Sequence, residues 1–199
     1  APTEAELAAK RAELGLDRPF WEQYISWIGG LLQGDMGESY RSGRSVAMSL
    51  ASALPYTLSL TTCAMILTLL IALPLGLYCA YRKDGAVDMV TRVLTYAFYS
   101  LPSFFLALLL LYILSVQLHF LPVSSKGPVG SIMPTLSLAI PLSAWYVRQV
   151  RAIALEQLSA GYFDGLRSRG VSEKTILFKH VLRNSLVPIL SLVGISIGS

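Results

Sequence analysis

The chain has 199 residues, 54% of them hydrophobic and only 14% charged, with a mean hydropathy of +0.57. A soluble domain carries about 25% charged residues, so this composition excludes an ordinary water-surrounded globule and points to a bilayer. The formal net charge of +4 is not spread evenly but equals the excess of one segment.

Residues 1–18 predict an amphipathic helix that Gly15 and Asp17 interrupt, with Pro19 permitting a fresh start. The next stretch, PFWEQYISWIGGLLQGD, places Phe20, Trp21, Tyr24, Trp27, Ile28, Leu31 and Leu32 at helical spacings. Trp and Tyr favour the membrane–water boundary, so this helix is expected on the outer surface or against the spans. A substrate-binding aromatic box is the sharper alternative. The stretch QGDMGESYRSGRS reads as a turn-rich connector. Residues 1–53 therefore form an expected extracytoplasmic helical segment, and residues 54–199 a transmembrane domain.

No Asp, Glu, Lys or Arg occurs between Arg44 and Arg82, between Arg92 and Lys126, or between Lys126 and Arg148. A helix needs roughly 20 apolar residues to cross a hydrocarbon core of about 30 Å, and each gap holds one. The expected crossings are 55–78, 93–116 and 132–147, with a fourth running from 186 to the last residue, 199. Pro55 suits a first helical turn, whereas Pro74, Pro102 and Pro141 fall inside apolar runs and predict bends. Several prolines in a small bundle suggest bent helices around a passage, with ordinary kinks the plainer account of any single one. The third crossing is expected to continue as a cytoplasmic helix through RQVRAIALEQL. Cys63 and Cys79 lie on one helix about 24 Å apart, too far to pair.

Residues 1–53 hold five basic and seven acidic groups. Residues 148–183 hold Arg148, Arg151, Arg167, Arg169, Lys174, Lys179 and Arg183 against Glu156, Asp164 and Glu173. Loops rich in Lys and Arg stay cytoplasmic. That places residues 81–88 and the loop 148–185 inside, and residues 117–131 and the first fifty outside. The same bias accounts for the charge without nucleic acid. None of the expected crossings contains Asp, Glu, Lys or Arg, where a proton relay or ion-coupled carrier commonly places them. No HExxH, CxxC or Walker-type glycine loop occurs. No catalytic, cofactor or metal set is visible, and any energy source is expected in another chain. The methionines and the two histidines form no metal-ligand spacing.

The loop itself reads as more than charge. The stretch 152–158 is helix-forming and Gly161 is expected to interrupt it. YFDGLRS predicts a short helix, Gly170 a left-handed cap, and Ser172 an N-cap with Glu173 in the first turn of the next helix. That helix carries Ile176, Leu177, His180 and Val181 on one side.

The stretch FDGLRSRGVSEKTILFKHVLRNSLVP resembles the cytoplasmic EAA loop of binding-protein-dependent ABC transporter permeases, more narrowly the peptide/nickel (dipeptide–oligopeptide) branch. The matching residues are Tyr162, Arg167, Arg169, Gly170, Ser172, Glu173, His180, Leu182, Arg183, Asn184 and Pro188. The stretches LGLDRPFWEQYISWIGGLLQGDMGESYRSGRSV, LPYTLSLTTCAMILTLLIALPLGLYCAYRKDGAVD and YSLPSFFLALLLLYILSVQLHFLPVSS are similar to that branch in the same order. The wider pattern begins Glu-Ala-Ala where this chain has Asp164, Gly165 and Leu166. It also places a proline where Arg183 stands, a proline that the peptide/nickel branch generally lacks.

The resemblance implies an all-α, polytopic transmembrane bundle of about six spans, one before Ala1 and one after Ser199. It implies a non-enzymatic transport subunit in the inner membrane, importing peptides, or nickel or a metal chelate. The implied partners are a second permease, two cytoplasmic ATPase subunits, an extracytoplasmic substrate-binding protein and membrane lipid. ATPase coupling would fall on Tyr162, Asp164, Gly165, Leu166, Arg167, Arg169, Gly170, Ser172 and Glu173. The reading from another class is a membrane scaffold or receptor whose basic loop binds anionic lipid, at about 1 kcal/mol per charge, or a signalling partner. A membrane enzyme is the third.

Overall fold

The computed structural model describes residues 3–13, 15–123 and 127–198. Helix dominates and no strand occurs among the described residues; one isolated bridge joins Glu38 and Ser45. The chain divides into two compact units, Ala1–Thr57 and Leu58–Ser199.

The first unit holds α1 (Glu4–Glu13) and α2 (Phe20–Leu32). Gly15 adopts φ +68, and Pro19 stands as the N-cap of α2, as the sequence predicts. No residue of α2 is buried: Phe20, Trp21, Tyr24 and Trp27 are exposed, and their rings touch in series along the helix. The helix that enters the second unit is α3 (Val46–Tyr81). It begins well before Pro55, which therefore lies inside the helix rather than in its first turn. Pro74 also lies inside it without ending it.

The second unit continues with α4 (Ala86–Ser100), α5 (Ser103–Leu111) and a π-helical turn at Tyr112–Gln117. Here the structure breaks the crossing expected over 93–116 at Pro102, where the sequence predicts a bend. The α4–α5 pair is bent by 99°. Proline donates no N–H and pushes the residue before it out of the helical region. Leu101 (φ −80, ψ 130) and Pro102 (φ −58, ψ 138) are accordingly extended.

Next comes α6 (Pro128–Leu158), continuous through Pro134 and Pro141, so that the apolar run and RQVRAIALEQL form one helix. The short α7 (Gly161–Ser168) follows, then α8 (Glu173–Thr175), a π-helical turn at Ile176–Val181, and α9 (Leu182–Gly198). The last three run together as one apolar helix, Glu173–Gly198. The final helix thus begins inside the basic segment, earlier than the apolar run from 186 suggests.

By length and composition α3 and the helix Glu173–Gly198 can each cross a membrane, and the bent pair Ala86–Ser100 with Ser103–Gln117 makes a third if it is one broken span. Helix α6 is long enough but less apolar. It packs against α4, α5 and α9, so much of its surface meets protein, and small polar residues such as Ser137 and Ser143 are buried there. Interhelical hydrogen bonds replace lipid-like contacts: Thr68 Oγ1 donates to the Ala139 carbonyl at 3.4 Å, and the Tyr146 hydroxyl pairs with Ser196 Oγ at 2.9 Å.

At Gly76 helices α3 and α6 are so close that an added Cβ would lie 2.7 Å from Val150 Cγ1 and 3.0 Å from the Val147 carbonyl oxygen. One buried cluster joins Leu77 and Ala80 of α3 to Val150 and Ala154 of α6, Phe163 of α7, and Ile176, Leu177, Val181 and Ile189 of the last helix. This cluster is the floor on which the basic segment stands.

Candidate functional site

Helix α6 ends at Leu158, and the chain turns at Ser159 and Ala160, the latter extended (φ −70, ψ 128). Gly161 then opens α7 in helical conformation. The sequence assigns the interruption to Gly161, but it is Ala160 that makes the turn. A Cβ on Gly161 would meet nothing within 4 Å, so no steric demand fixes glycine there.

Phe163 and Leu166, three residues apart on one face of α7, point into the buried cluster; Phe163 is fully buried (0%). Asp164, Gly165, Arg167 and Ser168 lie on the exposed side, followed by exposed Arg169. Tyr162 belongs to α7 by its backbone; its side chain lies outside the described residues.

The C-terminus of α7 closes with a Schellman motif. Gly170 (φ +77) donates its N–H to the Arg167 carbonyl at 2.9 Å, and Val171 N–H donates to the Leu166 carbonyl at 3.2 Å. The hydrophobic contact that accompanies this motif is supplied by Leu166 and Val171, both packed on the cluster. The left-handed glycine that the sequence predicts is therefore required by the backbone.

Ser172 then caps α8, its Oγ accepting from Thr175 N–H at 3.4 Å and pairing with Thr175 Oγ1 at 2.9 Å. Arg167 bridges the two helices. Its Nε donates to Glu173 Oε1 at 3.0 Å and its Nη1 to Asp164 Oδ1 at 3.2 Å. Glu173 foremost, then Asp164, hold this guanidinium above its ordinary pKa against a smaller opposing effect of burial, so it stays charged at any physiological pH. These groups are all partly solvated, and such pairs contribute at most about 1 kcal/mol each.

Of the residues implicated by sequence, the structure gathers Asp164, Arg167, Gly170, Ser172 and Glu173 into one closed turn, with Gly165 open on its surface and Leu166 beneath. Arg169 stands apart, exposed, in no ion pair among the described residues. Phe163, which anchors the helix, was not singled out by sequence. Its spacing to Leu166 is the signal that marks it.

The arrangement is a short helix footed by one ring, with a polar face turned to water, held between two longer helices. Residues 72–199 match the family described as binding-protein-dependent transport system inner membrane component. The chain belongs to this family. Among its curated relatives is the dipeptide transport system permease protein DppB of Lactococcus lactis, 36% identical over 194 residues, covering 96% of this chain and 64% of that protein. A probable peptide ABC transporter permease of Sinorhizobium fredii is 34% identical over 203 residues, covering 98% and 65%. The glutathione transport system permease protein GsiC of Escherichia coli K12 is 33% identical over 189 residues, covering 94% and 62%. The chain thus spans less than two thirds of the length of these relatives. An inner-membrane component of this kind accounts for both the apolar helices and the basic segment beside them.

Proposed function

We propose that the chain is the membrane-spanning permease part of an ATP-driven importer, passing peptides received from an extracytoplasmic binding protein. A second permease and two cytoplasmic ATPase subunits complete the assembly, and the chain performs no hydrolysis of its own. The observation that carries this reading is α7: a helix anchored by Phe163 whose face Asp164–Arg169 is left free for a partner. The names of the relatives favour peptides, and no relative cited above is named for nickel. A cavity of about 580 Å³ between α3, α4, α6 and α9, lined by Thr61, Met65, Tyr99, Trp145 and Ser196 among others, falls within the roughly 300–1,000 Å³ typical of small-molecule sites. It offers a stretch of path for a small peptide.

The test is reconstitution of the full-length permease with its second permease, ATPase subunits and binding protein in proteoliposomes, with uptake of a labelled dipeptide as readout. Asp164→Lys reverses the exposed charge on α7, and Gly170→Val removes the left-handed cap. Both are expected to lower uptake strongly while ATP hydrolysis and folded yield fall little. Unchanged uptake in both variants would sink the coupling assignment. Basic-segment binding to anionic vesicles that vanishes at high salt, with no ATPase subunit retained, would favour the scaffold reading instead.

A further inference from the structure

A second set of charges lies outside the coupling turn and is bound far more tightly. Asp88, in the first turn of α4, is fully buried (0%). Arg151, near the cytoplasmic end of α6, grips it with two parallel bonds: Nε to Oδ1 at 2.6 Å and Nη2 to Oδ2 at 2.7 Å. Asp88 Oδ2 also accepts from the Asp84 N–H at 3.0 Å, and Arg92 Nη2 stands 3.7 Å away while pairing with Asp84 at 3.2 Å. One turn along α6, Arg148 lies over the rings of Tyr96 and Tyr99 of α4, at 4.9 and 4.6 Å from their centroids. Two arginines spaced three apart on α6 thus hold two successive levels of α4.

The position of this double grip is informative. Arg151 and Ala154 are on the same stretch of α6, and Ala154 packs in the cluster that receives Phe163 of α7. Tyr99, at the other end of the grip, lines the 580 Å³ cavity, as does Trp145 of α6. A bidentate pair whose carboxylate is fully buried resists separation because parting it strips Asp88 of its two short charge-assisted bonds and leaves it only the Asp84 N–H and the more distant Arg92. A rotation of α6 driven from α7 therefore carries α4 with it and alters the cavity wall.

We propose that Asp88 and Arg151 are positioning residues for transport. They yoke α4 to the root of the coupling segment, so that displacement of α7 moves α4 and α6 as one body. This inference rests on the importer reading above.

Three variants of the complete importer test it. Arg151→Gln releases the yoke, Arg151→Lys keeps the charge, and Asp88→Asn keeps an acceptor for the Asp84 N–H while losing the ion pair. The yoke predicts that peptide uptake per ATP hydrolysed falls about tenfold in Arg151→Gln and Asp88→Asn and is held to within about threefold of wild type in Arg151→Lys. A second readout needs no substrate. Spin labels at Val93→Cys and Gly161→Cys, in a chain carrying Cys63→Ala, report the α4–α7 distance with and without ATP. The distance is expected to be constant in the otherwise wild-type chain and to change on ATP binding in Arg151→Gln.

A brace with no part in transport would lower uptake, hydrolysis and folded yield in step and leave the label distance equally constant in both, and that result overturns the yoke. If the wild-type complex takes up no dipeptide, the peptide reading fails, and the label distances then decide the yoke by themselves.

Discussion

Gly165 and Gly170 lie five residues apart in the proposed coupling turn and answer to opposite demands. Gly170 sits at φ +77 as the closing residue of a Schellman motif, where an L side chain costs roughly 1–2 kcal/mol. Gly165 is an ordinary helical position with open space around it: a Cβ there meets nothing within 4 Å. Its glycine costs α7 about 0.5–1 kcal/mol relative to alanine through backbone freedom. If α7 docks as the formed helix seen here, Gly165→Ala stabilises the free and bound states alike, and the affinity of a purified ATPase subunit for the full-length permease is expected to stay within about twofold. Titration in lipid nanodiscs measures it. Weaker binding would mean that α7 must deform to dock.

At the scale of the element, the question is what holds α7 in place. Two means are present: the buried ring of Phe163 and the solvated pairs of Arg167 with Glu173 and Asp164. Removing a fully buried phenylalanine costs about 3–5 kcal/mol, whereas breaking exposed ion pairs costs at most about 1 kcal/mol each. Phe163→Ala is therefore expected to free α7 while Arg167→Ala barely loosens it. Hydrogen exchange checks this directly: the amides of α7 should lose most of their protection in the first variant and little in the second. Equal losses would show that charge, not packing, seats the helix.

The contrast also explains what the sequence made legible. The Gly170 cap, the Ser172 cap and the acidic first turn at Glu173 depend on neighbours within a few residues, and all three are readable. The burial of Phe163 depends on Leu77, Val150 and Ile189, which no local pattern connects. The pairing of Asp88 with Arg151 joins residues 63 apart, so their charges read only as topology. Pro102 was readable as an interruption, but the 99° direction of the break is set by how α5 packs on α6.

At the scale of the whole molecule, that break poses the sharpest alternative. A helix pair bent at Leu101–Pro102 is either one broken span or a re-entrant loop that returns to the side it left. The charge map separates the two. Arg82, Lys83 and Arg92 flank the start of α4, and the strongly basic residues 148–183 follow α6. If α4 and α5 re-entered, the chain after Gln117 would lie on the cytoplasmic side. Helix α6 would then carry the basic segment across to the other face, against the bias that keeps Lys and Arg inside. A broken span puts both basic regions on one face and the nearly uncharged connection around His119 on the other. Single cysteines at His119→Cys and Ser168→Cys, in a chain carrying Cys63→Ala, report the sides. In intact spheroplasts a membrane-impermeant maleimide is expected to label position 119, and to reach position 168 only after permeabilisation. The reverse pattern, position 168 labelled in intact spheroplasts and position 119 only after permeabilisation, would make the α4–α5 pair re-entrant and would place the proposed coupling turn on the outer face.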